Sequence, residues 1–174
     1  MAISLYEASV STYLQILGAT SGVLDKGLEH ARSHGVDPEE LVETRLYADM
    51  HPLRFQVQQL ARHSVGAIEA IKTGVFAAPT GERPHHDYAG LQALVRDARQ
   101  TLTGVTAAEV DARQGTEVVF QVGDVRRVFT AEGFLLSFSL PNFYFHATTA
   151  YDILRMKGVP VGKRDFMGAL RLKG

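Results

Sequence analysis

The chain has no cysteine among its 174 residues. That excludes disulfides, thiolate metal clusters and a cysteine nucleophile. No charge of one sign is in excess: 18 Lys and Arg stand against 19 Asp and Glu, for a net charge of −1. A general nucleic-acid binder needs a basic surface that displaces counterions, so that class is excluded. No apolar run approaches the roughly 20 residues of a membrane span, so no membrane partner is expected. The N-terminus has no basic segment leading into an apolar one, so a cytoplasmic location is expected. The catalytic templates GxSxG and HExxH and the glycine-rich phosphate loop do not occur, and no catalytic residue is assigned.

What is present is helical periodicity broken by well-placed stops. Apolar residues from Leu5 to Ala31 recur at three- and four-residue steps and predict one helix over 3–34, ended at His34-Gly35. Gly18 and Gly22 weaken that helix or admit a close neighbour. Asp37-Pro38-Glu39-Glu40 is a helix start and predicts a short helix to Tyr47. The next helix is expected over 49–73, with Asp49 as its N-cap, Pro52 in its first turn and Gly74 as its stop. Two prolines and a glycine make 75–87 a loop. A third long helix follows over 87–103, and the capping box Thr106…Glu109 opens a short one.

Between Gly115 and Leu140 the period changes. TEVVFQV and VRRVFT flank Gly123-Asp124 and predict a β-hairpin over about 116–130, inserted before the last long helix. The apolar run Phe134–Leu140 reads as a short helical turn leading to Pro141. Pro141 suits a first turn and Gly158-Pro160 a stop, so the last long helix spans about 141–157. The whole chain is expected to form one all-α domain, an up-down-up-down four-helix bundle.

Candidate site residues come from polar side chains on inner faces. At 100° per residue Gln56 and His63 share a stripe with Leu53, Leu60 and Ala67, while His51 lies on the far side. On the last helix Asn142 and His146 lie on the face of Phe143, Ala150 and Ile153, with Thr149 three residues from His146. These side chains either bond to neighbouring helices and fix register, or line an inter-helix pocket. His85-His86 reads as a polar loop pair, since no third ligand stands nearby. Lys163 and Arg164 belong either to a surface segment anchored by Phe166 or to an anion-binding lip.

Three segments carry a resemblance: LYEASV (5–10), DMHPLRFQ (49–56) and LPNFYFHATTAYDILRMKGVPVGKRDF (140–166). The chain resembles the bacterial DUF1993 family, a domain of unknown function within the DinB/YfiT-like metalloenzyme superfamily. Metal-binding members of that superfamily use one histidine on the second bundle helix and two, four residues apart, on the fourth. Those with known activity include thiol-dependent transferases and isomerases. Carried over, His146 matches the first histidine of the fourth helix, Ala150 stands in place of the second, and Gln56 falls near the remaining position. The resemblance therefore implies a degenerate metal site, with no cofactor expected. His63 lies about 10 Å along its helix from Gln56, at 1.5 Å per residue.

Three readings follow. The chain binds a small molecule in a polar cavity at Gln56, His63, Asn142, His146 and Thr149. Alternatively it is a metal-dependent hydrolase or thiol transferase whose zinc or nickel site is rebuilt from Asp49, His63 and His146. Or it is a homodimeric interaction protein that uses the hairpin and FLLSFSL.

Overall fold

The computed structural model describes residues 3–79, 81 and 84–173. The chain is mostly helical. Four long helices, α2 (Val10–Ser33), α4 (Leu53–Thr73), α5 (Tyr88–Thr103) and α8 (Leu140–Met156), carry most of the core. α4 packs against α8 on one side and α5 on the other, and α2 lies against α5 and α8. Among the described residues five short α-helices accompany them: α1 (Leu5–Ala8), α3 (Pro38–Val42), α6 (Ala107–Asp111), α7 (Ala131–Phe134) and α9 (Lys163–Met167).

The first helix is not continuous. α1 and α2 are separated at Ser9, whose Oγ donates to the Leu5 carbonyl at 2.7 Å. α1 is instead tied to α6, where the Tyr6 N–H donates to Asp111 at 2.9 Å. Gly18 and Gly22 do not serve close helix approach: a Cβ on Gly18 would meet only the Arg99 side chain, and one on Gly22 nothing. Gly27 does, because a Cβ there would lie 2.2 Å from the Tyr88 Oη. That hydroxyl donates to the Leu24 carbonyl at 2.8 Å and locks α5 onto α2.

α3 ends at Val42 rather than Tyr47. Asp49 caps nothing; it is exposed, and Pro52 takes the cap position with ψ 171°. A residue before proline is held out of the helical region, so a start at 49 would have forced His51 into a disfavoured conformation. The Leu53 N–H is satisfied by the Thr44 carbonyl at 2.9 Å. At the far end Gly74 closes α4 in the left-handed region with φ 81°, as glycine alone does readily.

The segment after Gly74 is not all loop. β1 (Val75–Ala77) pairs parallel with β2 (Glu117–Val122), which pairs antiparallel with β3 (Val125–Thr130). The sheet is thus three-stranded and mixed, in the order β1-β2-β3, not a lone hairpin. Two strands alone would be marginal in water. The third strand and a cluster of Phe76, Phe120, Phe129, Phe134 and Phe138, with ring centroids 5.0–6.3 Å apart, seat the sheet on the helices.

The run into the last helix is helical, with a π turn over Leu135–Ser139 between α7 and α8. Pro141, which cannot donate, follows where the regular ladder is already interrupted. The π turn brings Ser139 inward: its Oγ donates to the His63 carbonyl at 2.6 Å and accepts from the Tyr13 hydroxyl at 2.8 Å. α8 ends at Met156, and Gly158 follows with φ 89°. In the tail Phe166 packs edge-on against Tyr151 at 5.8 Å.

Candidate functional site

Two histidines of different helices meet between α4 and α8. The rings of His63 and His146 lie 5.9 Å apart and within 19° of parallel. His146 reaches both residues of α4, stacking on His63 while its Nδ1 lies 2.8 Å from the Gln56 Oε1. Both side chains are buried, with exposures of 5% and 9%.

Gln56 orients His146. Its Nε2 donates to the His51 carbonyl at 2.8 Å, which fixes the amide. Its Oε1 then accepts, so the His146 Nδ1 at 2.8 Å carries the proton. His146 is therefore the Nδ1–H tautomer, with the lone pair on Nε2. His63 has no such partner: its Nδ1 is buried and makes no hydrogen bond. Burial pushes the His63 imidazole down to about 3, with the nearby His146 and Arg62 acting in the same direction. Burial also pushes His146 down to about 4, with His51 adding to it. Both rings are neutral at pH 7.

Aromatic rings enclose the pair. Phe76 and Phe138 each lie 5.6 Å from His63, and Phe55 lies 5.8 Å from His146. His51, exposed as expected, stacks on Phe55 at 3.9 Å and marks the solvent side. The Arg62 guanidinium sits 4.4 Å above the Phe76 ring and donates to the Ala77 carbonyl at 2.9 Å, fastening β1 over this end of α4. Phe76 escaped sequence reasoning. Its signal was the β-branched and aromatic Val75-Phe76 directly after the Gly74 stop, outweighed by the prolines beyond it.

The other sequence candidates are placed differently. Asn142 is half-buried and its Nδ2 donates to the Phe138 carbonyl at 2.7 Å. The Thr149 Oγ1 donates to the Phe145 carbonyl at 2.8 Å. Both use their donors on the carbonyl four residues earlier, as such side chains commonly do. His85 is exposed, and His86 Nδ1 accepts from Gln58 at 3.0 Å. Lys163 and Arg164 are exposed, while Asp165 beside them pairs with Lys26 at 2.7 Å.

Two imidazoles, His63 and His146, are brought together between α4 and α8. Among the described residues no three His, Cys, Asp or Glu side chains are grouped to hold a metal ion. Asp49 thus does not join His63 and His146 in such a set. Gln56 already uses both ends of its amide, and Ala150 has no donor. No helix of the described residues is long and apolar enough to cross a membrane.

The structure is similar to that of a DinB family member protein from Shewanella denitrificans. The TM-score is 0.82 at 29% identity, over 98% of this chain and 95% of that one. No protein of curated function matches the chain. A family model described as a domain of unknown function, DUF1993, matches residues 5–167. With nearly its whole length matched and a DinB family member sharing its structure, the chain belongs to the DUF1993 family and is DinB-like.

Proposed function

We propose that this protein binds a small, neutral, polar molecule between α4 and α8, at Gln56, His63 and His146, with Asn142 and Thr149 flanking on α8. The metal site of the wider superfamily is degenerate in this reading, and no cofactor is required. One observation carries it: the His63 Nδ1 is buried without a partner, beside a His146 whose tautomer is already fixed. An unpartnered buried polar atom costs about 1–3 kcal/mol and calls for an explanation. A ligand that hydrogen-bonds to His63 supplies one. Two neutral imidazoles in an aromatic setting favour an uncharged ligand, because a charged one would lose its hydration with no opposite charge to replace it. The same reading takes the chain as one cytoplasmic domain with its four long helices in an up-down-up-down bundle.

Ligand-observed NMR with a library of small neutral amides, alcohols and heterocycles tests the proposal. Binding should occur with the wild type and disappear in His63→Leu. Hits that persist unchanged in that variant would defeat it.

A metal-dependent hydrolase or thiol transferase is the second reading, favoured by the 5.9 Å approach of His63 and His146. It requires zinc or nickel to raise the melting temperature. A homodimer is the third, supported by exposed Val125, Val128 and Leu136. A strictly monomeric mass by light scattering removes it.

A further inference from the structure

A groove lies on another seam, where α5 packs against α2. Arg96 is spaced three and four residues from Arg99 and Gln100, which are spaced four and three residues from Thr103, so the four share one stripe of α5. With Ser21 of α2 they line an open groove of about 330 Å³. That is within the range of small-ligand sites, roughly 300–1,000 Å³.

The groove owes its shape to α2. Gly18 has no side chain, and the Arg99 guanidinium lies across the place where one would stand: a Cβ there would be 3.7 Å from its Cζ and Nε. Arg99 is thus exposed but rests against α2 at Gly18. Arg96 stands one turn earlier on the same stripe.

Neither guanidinium is neutralised. Among the described residues the ion pairs are Lys26–Asp165, Arg54–Glu43, Lys72–Glu109 and Arg171–Glu7, and neither Arg96 nor Arg99 takes part. Asp25, one turn along α2 from Ser21, is engaged elsewhere: its Oδ1 accepts from Gln92 Nε2 at 2.6 Å. The Thr103 hydroxyl donates to the Arg99 carbonyl at 2.9 Å, which leaves Ser21 and Gln100 as the neutral donors of the groove. Two unpaired forks with two neutral donors match the oxygens of a tetrahedral oxyanion, which arginine binds in bidentate fashion.

We propose that the α2–α5 groove binds a phosphate group, as a phosphomonoester or diphosphate, through Arg96, Arg99, Ser21 and Gln100. The site is independent of the α4–α8 site: nothing in the groove touches His63 or His146.

Isothermal titration of the full-length protein with pyrophosphate at low salt tests it, alongside co-sedimentation with phosphatidylcholine vesicles with or without phosphatidic acid. Saturable binding of pyrophosphate is expected. Arg96→Gln and Arg99→Gln should each weaken it by about tenfold or more, the loss of a charge-assisted hydrogen bond. Arg32→Gln, which removes a cation from the neighbouring groove on the same seam, should leave affinity unchanged. Binding to acidic vesicles alone, with the same loss in the two variants, would place the phosphate on a lipid headgroup and support the proposal. Binding of neither probe, or equal weakening by Arg32→Gln, would overturn it.

Discussion

Acidification should destabilise this protein well above the pH at which carboxylates titrate. His63 and His146 are neutral in the folded protein, pushed by burial to about 3 and about 4 from an ordinary 6.5. Below 6.5 the unfolded chain takes up a proton on each ring while the folded protein does not. Stability contributed by the neutral rings is therefore present at pH 7 and is lost as the pH falls toward the folded values. Between pH 7 and pH 5 each ring accounts for about 1.9 kcal/mol and the pair for about 3.7 kcal/mol. That is a large part of the stability of an ordinary domain, about 5–15 kcal/mol.

Asp165 and Glu109 are held below the usual carboxylate range, chiefly by hydrogen bonds from Lys26 and from the Thr106 backbone. They act in the same direction, but mainly below pH 5. Urea unfolding followed by circular dichroism at pH 7, 6 and 5 isolates the histidines. The wild type should lose about 3–4 kcal/mol across that window. His63→Gln and His146→Gln should each lose about 2 kcal/mol less than the wild type. A wild-type loss under about 1 kcal/mol, or an equal loss in the variants, would refute the assignment of two buried neutral rings.

Other perturbations have clear directions. Gly27→Ala should destabilise by about 1–3 kcal/mol despite the better helix propensity of alanine, because Cβ meets the Tyr88 hydroxyl. Tyr88→Phe should recover part of that loss when combined with it, as a double-mutant unfolding cycle would read. Ser139→Ala should cost about 1–3 kcal/mol in urea unfolding, since it strands the buried Tyr13 hydroxyl and removes the bond to the His63 carbonyl. Thr106→Ala should cost about 0.5–2 kcal/mol in the same assay by removing the capping box with Glu109.

How far the fold could be read from sequence follows from the range of the interactions. Local signals worked where the physics was local. Gly74 stops α4, and Thr106 and Glu109 form their box, each within a few residues. Misreadings arose where a distant partner decides. β1 is a strand because β2, over forty residues later, hydrogen-bonds to it. The break at Ser9 goes with a contact between α1 and Asp111. Asp49 lost the cap position for a local reason instead: Pro52 keeps His51 out of the helical region and itself takes the cap.

The candidate site divides in the same way. Helical spacing placed Gln56, His63 and His146 on inner faces, and all three are buried. It assigned Asn142 and Thr149 to that group as well, yet each bonds back to the carbonyl four residues earlier. The meeting of His63 with His146 depends on how α4 slides against α8, which is fixed by packing between the helices. The Arg96–Arg99 groove was likewise invisible, because it depends on α5 packing beside α2 with the Arg99 side chain at Gly18.

The central claim is that the buried histidine pair serves a metal-free site. Metal analysis of protein purified without a histidine tag, repeated for His146→Ala, tests it most directly. The account predicts zinc and nickel far below one ion per chain in both proteins. A stoichiometric transition metal in the wild type that disappears in His146→Ala would contradict it and make the metal-dependent reading the leading one.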